Sequence, residues 1–311
     1  MKKLFWLILV ALLIVLCPVI SGETAEYNSA ILLVIGIYVI LAVSLDLVVG
    51  YTGLISLGHA AFFAIGAYTS GILTTKLAIP SIIALGAGVL ISSLIAWLIG
   101  FSVLAMRGYY LAMGTMALSA IVYTLLVSLQ GLTGGATGLR DVPSFSIFGF
   151  SFDNTIHYYY FVWGIVILII ICCLRIVKSP FGTALIAIHG DEVAAGTIGV
   201  DCPKYKTTIF VFSSICASLA GSLYSHYMGF LAPDDFNIFT SIHVLIMIFL
   251  GGAGTIYGPI LGAIFLKLLP EITYMFHDYE LLANGLILIL VLVFVPKGLF
   301  GLFTALTKKL T

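Results

Sequence analysis

Charged residues are scarce in this sequence. Asp, Glu, Lys and Arg together make up 8% of its 311 residues, against about a quarter in soluble domains, and the formal net charge is zero. So low a charged fraction excludes a soluble domain of ordinary composition. Because no basic excess exists, we expect no nucleic-acid partner.

Motifs for redox chemistry, metal binding and nucleotide binding are also missing. The five cysteines form no C-x-x-C pair and do not cluster with histidines at metal-ligand spacing. No G-x-x-x-x-G-K-[ST] motif occurs. We therefore predict no catalytic residue, metal site or cofactor in this chain and interpret the cysteines as reduced and structural.

Long apolar runs fill most of the chain, in which 62% of the residues are hydrophobic. A membrane-spanning helix needs about 20 predominantly apolar residues, which predicts an all-α, polytopic integral membrane protein with about ten such helices and a single domain, residues 1–311. Segments 241–254 and 258–270 are short enough to be half-spanning or re-entrant. The apolar segments lie near residues 4–20, 30–50, 59–75, 81–105, 109–129, 158–174, 206–228, 241–254, 258–270 and 283–303.

The first segment, residues 4–20, is compatible with an uncleaved helix or with the apolar region of a signal peptide. Its length exceeds the 7–15 residues usual for a signal peptide, which favours the helix. Basic residues then fall in alternate gaps, so the positive-inside rule places both termini in the cytoplasm. The exceptions are Lys76 and Arg140. The basic residues on the predicted inner side are Lys2, Lys3, Arg107, Arg175, Lys178, Lys204, Lys206, Lys308 and Lys309.

The main polar interruption is a predicted cytoplasmic segment, residues 178–206. Ser179 is suited to cap a helix that starts with Pro180. Gly190 interrupts that helix, and Asp191 is suited to cap a second one. The pattern therefore predicts a helix, a kink and a second helix.

Each of these two short helices has an apolar side that requires a cover. Either another protein docks there, or the segment is an amphipathic loop on the bilayer surface. The apolar residues at helical spacing are Phe181, Ala184, Leu185, Ile188, Ala195 and Ile198.

Two glycine-rich stretches, residues 50–59 and 251–259, break the helical pattern at membrane depth. Paired interruptions in two halves of a transporter indicate a central pathway formed by broken helices. Tight helix packing or a simple turn is the alternative. The candidate pathway residues are Gly53, Ser56, Gly58, His59, Gly251, Gly252 and Gly254.

The predicted external loop, residues 130–157, opens with a stretch too rich in glycine to favour a helix. It needs either turns or a partner that orders it. Its candidate residues are Thr133, Gly134, Gly135 and Gly138.

Several motifs resemble one family of transport proteins. The run Glu192-Val193-Ala194-Ala195, followed by Gly199, resembles the E-A-A...G loop by which permeases of bacterial ABC importers hold their ATPases. Val193 departs from the strict motif. The flanking Ser179-Pro180-Phe181-Gly182 and Lys204-Tyr205-Lys206 are similar to branched-chain amino acid permeases of the LivM type. Stretches 50–63, 107–110, 133–135, 226–234 and 250–255 match that family in the same order.

This resemblance implies a permease subunit of an ATP-driven importer of branched-chain or similar hydrophobic amino acids in a bacterial cell membrane. The implied partners are a homologous second permease of the LivH type, two cytosolic ATPases that use ATP and Mg, an external substrate-binding protein, the amino acid and the bilayer. The external-loop residues would face the binding protein. The implied ATPase-coupling residues are Ser179, Pro180, Phe181, Gly182, Ile188, His189, Gly190, Asp191, Glu192, Ala194, Ala195 and Gly199.

Other interpretations stay open at this point. Related permeases that import urea or a short amide share similar motifs. An ion-coupled secondary transporter needs carboxylates within its spans, for which Asp46 is the one good candidate, and a purely structural membrane subunit is the third class. Asp46 and His243 are each either packed, hydrogen-bonding residues or contacts to the pathway.

Overall fold

The computed structural model describes residues 25–103, 109–147, 149–273, 285–286, 289 and 298–301. The predictions for segment 4–20, for most of segment 283–303 and for Lys2, Lys3, Arg107, Lys308 and Lys309 lie outside these residues. The described helices are α1 (Ala25–Thr52), α2 (His59–Leu77), α3 (Ser81–Val103), α4 (Tyr109–Ser128), α5 (Gln130–Thr133), α6 (Thr155–Lys178), α7 (Pro180–Gly190), α8 (Glu192–Thr197), α9 (Cys202–Met228), α10 (Ile238–Gly251) and α11 (Tyr257–Thr273).

The helices confirm the all-α polytopic class. Five of the described helices, α1, α3, α4, α6 and α9, are long and apolar enough to cross a membrane. Helices α10 and α11 are shorter, as their sequences predicted.

Several helices are longer than their apolar runs because polar caps lie outside those runs. Asn154 accepts a hydrogen bond of 2.8 Å from the amide of Ile156, so α6 begins at Thr155 and not near residue 158. Asp201 caps α9 in the same way, which moves its start from the predicted residue 206 to Cys202.

Loop 130–157, which the sequence predicts to be external, contains more regular structure than predicted. Residues 130–133 form one α-helical turn, and Gly135–Thr137 forms a 3₁₀ turn, so the stretch consists of turns as predicted, although the first of them is helical. Gly134, at φ +82°, separates the two turns in a conformation that glycine adopts without strain. Two short antiparallel strands, β1 (Ser146–Ile147) and β2 (Phe150–Ser151), follow.

Helix α1 lies at the centre of the described bundle. Most of its length is buried, and it contacts α6, α7, α9, α10 and α11. Helices α2 and α9 approach closely because glycines lie at their crossing. A Cβ atom at Gly66 would overlap the carbonyl oxygen of Ser218, and one at Gly221 would overlap that of Phe63. The small residues of α2 thus serve close packing.

Candidate functional site

The segment between α6 and α9 has the predicted helix, kink and helix. Asp191 separates α7 from α8, and its Oδ1 accepts hydrogen bonds from the amides of Val193 (2.8 Å) and Ala194 (3.1 Å). Gly199, at φ +92°, lies just beyond α8, where a left-handed residue ends a helix.

The predicted capping role of Ser179 is wrong. Ser179 occupies the N-cap position of α7, but its hydroxyl donates to the carbonyl of Ile176 at 2.6 Å and caps no amide. Because Ser179 directly follows α6, its side chain lies within reach of this carbonyl, which also accepts from the Ser179 amide at 3.1 Å.

The predicted apolar face of this segment is mostly covered by the chain itself. Leu185 packs in the main core, while Ile188 and Ala195 form a small cluster with Cys202 of α9. Phe181 stacks on Tyr205 with ring centroids 4.8 Å apart. The expectation that this whole face needs an outside cover is therefore wrong, because α9 already supplies one.

A different set of apolar side chains faces outward on this segment. Ile186 is 52% exposed, Val193 is 61% exposed and Ile198 is 77% exposed. Of these only Ile198 belonged to the predicted apolar face. We call Ile186, Val193 and Ile198 the exposed coupling face. Sequence spacing did not identify it, because the covered and exposed sides are both apolar.

An ion pair fixes α8 against α9. The Nζ atom of Lys206 lies 2.6 Å from Oε2 of Glu192, and the Lys206 side chain is only 3% exposed. A buried lysine of this kind requires its partner, since an unpaired buried charge is costly. The sequence indicated Lys206 as an inner-side charge and as part of the Lys204-Tyr205-Lys206 run, but not as the partner of Glu192.

The first glycine break contacts segment 178–206, which we call the coupling segment. Residues 53–58 link α1 to α2 without helical structure, and Gly53 (φ +72°) is exposed beside the ring of His189. A Cβ at Gly53 would lie 3.5 Å from that ring. Gly53, a predicted pathway residue, therefore lies at the same cleft as the predicted coupling residues. The cleft has a volume of about 280 Å³ and is lined by Thr52, Gly53, Leu54, Ile188, His189, Glu192 and Lys206.

The other candidate residues of this break lie in the interior. Ser56 and Gly58 are buried, and His59 Nε2 lies 3.1 Å from the hydroxyl of Ser44 in α1. Ser213 of α9 in turn donates to the Ser44 carbonyl at 2.7 Å. These contacts join α1, α2 and α9 through buried hydrogen bonds.

The second glycine break lies against the C-terminal part of α1. Gly251 ends α10, and Gly252 (φ +117°) and Gly254 (φ +73°) form the turn to α11. The Gly254 amide donates to Oδ1 of Asp46 at 2.9 Å, and a Cβ at Gly50 would overlap the Gly254 nitrogen. The two breaks therefore meet at α1, where glycine allows close backbone approach.

Asp46 and His243 have different surroundings. Asp46 is fully buried and hydrogen-bonded, which matches the packed alternative. His243 of α10 is exposed and interacts electrostatically with Lys267 of α11.

The glycine-rich part of loop 130–157 is shaped by contacts within the chain. Thr133 donates to the carbonyls of Leu126 (2.6 Å) and Leu129 (2.8 Å), and a Cβ at Gly138 would overlap the Leu231 carbonyl. Of the predicted residues, Thr133, Gly135 and Gly138 are buried, and Gly134 is half-buried. The neighbouring Leu132, Ala136 and Thr137 are exposed.

His226 attaches the later part of this loop to the spans. Its Nδ1 lies 2.8 Å from the carbonyl of Pro143, so this nitrogen is the donor. Its Nε2 then accepts from the Ser70 hydroxyl at 2.9 Å, while Ser222 donates to Ser70 at 2.9 Å.

A charged cluster that sequence analysis missed lies halfway along α1. The Nζ atom of Lys267 lies 3.5 Å from the centre of the Tyr38 ring. Asp235, in the 3₁₀ helix Pro233–Phe236, interacts electrostatically with Lys267 and accepts a hydrogen bond of 3.4 Å from Tyr224. The sequence places Asp235 in a gap between apolar segments, so it does not indicate that this residue lies close to the middle of α1.

Comparison with known proteins identifies the family. Residues 27–295 match the family described as branched-chain amino acid transport system / permease component. The chain is 31% identical to the high-affinity branched-chain amino acid transport system permease protein LivM of Escherichia coli (strain K12), over 96% of this chain and 75% of the relative. The chain therefore belongs to this family of transport permeases.

More distant relatives have two kinds of name. A probable branched-chain amino acid transport permease protein LivM of Methanocaldococcus jannaschii is 25% identical over 87% of this chain and 92% of the relative. An autoinducer 2 import system permease protein LsrC of Yersinia enterocolitica is 26% identical over 68% of this chain and 58% of the relative. No solved structure matches the chain.

Proposed function

We propose that this chain is the permease subunit of an ATP-driven importer that moves branched-chain amino acids into a bacterial cell. The observation that carries this proposal is the exposed coupling face, Ile186, Val193 and Ile198, on two short helices whose other side packs against the rest of the chain. Apolar side chains of this exposure at one site mark a protein or membrane contact. The matching E-A-A...G-like run favours an ATPase as the partner.

The proposed coupling runs from this face into the bundle by direct contacts. Movement of an ATPase shifts α7 and α8, and His189 transmits the shift to Gly53 at the end of α1. The bond between Asp46 and Gly254 then carries it to the turn between α10 and α11. Helix shifts of this kind alter access to a central route in alternating-access transporters.

The proposed assembly has the partners that ATP-driven import requires. Two cytosolic ATPases hydrolyse ATP, a second homologous permease completes the route, and an external binding protein delivers the amino acid. The coupling segment lies in the cytoplasm and loop 130–157 lies outside. Basic residues on the coupling side support this orientation.

Uptake by the complete complex tests the proposal. The permease is reconstituted in liposomes with its partner subunits, and uptake of radiolabelled leucine, urea and autoinducer 2 is compared. We expect leucine uptake that needs ATP and binding protein. Uptake of urea or autoinducer 2 instead of leucine would contradict the substrate, and uptake driven by an ion gradient without ATP would contradict the mechanism.

A further inference from the structure

The cluster around Lys267 lies at the middle of the described bundle. Tyr38 is thirteen residues after Ala25 and fourteen before Thr52, so it lies about 20 Å from either end of α1 at 1.5 Å per residue. Asp235 reaches this depth because the neighbouring Phe236 is fully buried, with its ring 5.0 Å from that of Phe63 in α2. Ionisable groups at such depth are costly and usually functional.

Lys267 lacks a direct carboxylate partner within the described part of the chain. Glu271 lies one turn along the same face of α11, but its Oε2 accepts a hydrogen bond of 2.7 Å from Tyr27. The ammonium of Lys267 instead lies over the Tyr38 ring, where a cation–π contact holds it. Its side chain is half-buried and therefore still accessible.

Asp235 supplies the opposite charge without closing an ion pair. The charges of Asp235 and Lys267 attract each other, yet the described ion pairs do not include them. Tyr224 donates to one carboxylate oxygen of Asp235, which fixes its orientation. Both side chains are half-buried, and neither belongs to a described ion pair, so each remains able to bind a charged group.

A cleft lies between α1 and α9. The cleft has a volume of about 400 Å³ and is lined by Ala30, Ile31, Val34, Tyr227 and Met228. Ile31 and Val34 share a face of α1 with Tyr38, because they precede it by seven and four residues. Tyr227 likewise shares a face of α9 with Tyr224. The cleft therefore lies along the same helix faces as the cluster, closer to the outer ends.

We propose that Lys267 and Asp235 hold the two charged ends of an amino acid in transit. The Lys267 ammonium binds the carboxylate of the substrate, and the Asp235 carboxylate binds its ammonium group. This inference rests on the proposed function and specifies its substrate class as a zwitterion. A zwitterion satisfies both protein charges at once, whereas urea or a neutral amide leaves them unpaired.

The test uses the complete complex in liposomes with three variants. Lys267→Met removes the cation, Lys267→Arg keeps it, and Asp235→Asn removes the anion while keeping the shape. Arg175→Met, which removes an exposed cation at the end of α6, is the matched control. Leucine uptake, subunit co-purification and ATP turnover stimulated by loaded binding protein are measured for each.

We expect Lys267→Met and Asp235→Asn each to lower leucine uptake by about tenfold or more, because each loses a charged hydrogen bond to the substrate. Stimulated ATP turnover stays near the wild-type rate, since the coupling segment is unchanged. Lys267→Arg and Arg175→Met retain most uptake.

Two results would overturn the inference: uptake near the wild-type rate in both charge-removing variants, or a parallel loss of uptake and stimulated ATP turnover. If Lys267→Met does not assemble, Asp235→Asn is judged by the same criteria, with Lys267→Arg as the variant that keeps both charges. Failure of the wild-type complex to import any branched-chain amino acid would instead refute the proposed function.

Discussion

The Oδ1 atom of Asp46 accepts a hydrogen bond of 2.9 Å from the amide of Gly254, a residue 208 positions further along the chain. This bond joins the C-terminal half of α1 to the turn between α10 and α11. The other carboxylate oxygen, Oδ2, is buried without a hydrogen-bond partner among the described residues. Asp46 therefore acts in this structure as a hydrogen-bond acceptor for the backbone of this turn.

We predict that Asp46→Asn retains transport. The asparagine oxygen still accepts from Gly254, and the neutral side chain is cheaper to bury than an ionised one. Leucine uptake should stay within about threefold of the wild-type rate, as for a change that keeps a neutral hydrogen bond.

Asp46→Leu is the contrasting variant. It leaves the Gly254 amide unsatisfied, which costs about 1–3 kcal/mol, so we expect a less stable protein with slower uptake. Complete loss of transport in a normally assembled Asp46→Asn complex would favour the ion-coupled mechanism instead.

Glycine packing between α2 and α9 gives a second prediction. Gly66→Ala places a methyl group against the Ser218 carbonyl, so the helices must separate. We expect a destabilisation of about 1–3 kcal/mol, measured as a lower melting temperature of the purified protein.

Gly86→Ala and Gly164→Ala are the controls, because a Cβ at either glycine meets no atom within 4 Å. Both should melt at or slightly above the wild-type temperature, since alanine is the better helix former. If Gly66→Ala melted like these controls, the close approach of α2 and α9 would be wrong.

The ion pair between Lys206 and Glu192 predicts how ATP turnover responds when its charges are reversed. Lys206→Glu alone places two carboxylates together and should weaken binding-protein-stimulated ATP turnover by about tenfold or more, because α8 loses its attachment to α9. Adding Glu192→Lys restores the attraction and should recover part of the turnover. Equal turnover in the single and double variants would show that the pair does not position α8.

Orientation is tested with fused reporters. A reporter joined after Gly199 should be cytoplasmic, and one joined after Asn154 should be external, because basic residues accompany the coupling segment. A periplasmic phosphatase and a cytoplasmic fluorescent protein give opposite signals at the two sites. An external signal at Gly199 would contradict both the orientation and the proposed coupling.

The sequence predicted the helices well because their signals are local. Apolar runs identified the spans, while Asp191 and Gly199 delimited α8 through short-range hydrogen bonds and backbone conformation. Errors at helix ends came from polar caps such as Asn154, which an apolar run does not include.

Features that depend on long-range packing could not be predicted in this way. Which side of α7 and α8 is covered depends on Cys202 and Tyr205 of α9, so the exposed coupling face was found only in the structure. Asp235 and Lys267 are far apart in sequence. They interact because the loop that contains Asp235 packs into the interior through the buried Phe236.

The structure also determines which substitution tests coupling most directly. Ala195 is only 2% exposed and packs on Ile188, so Ala195→Asp would disturb the segment itself. Val193 and Ile198 are exposed, and charges there leave the fold intact while opposing an apolar contact. The matched control is Val193→Ile with Ile198→Val, which keeps the surface apolar.

The most direct measurement is co-purification of the ATPases with tagged permease, together with ATP turnover stimulated by loaded binding protein, in the double variant Val193→Asp with Ile198→Asp. We predict normal membrane insertion, and loss of either the bound ATPases or the stimulation by about tenfold or more, while the control behaves as wild type. If the double variant retained bound ATPases and full stimulation, the exposed coupling face would not contact an ATPase, and the proposed function would lose its main support.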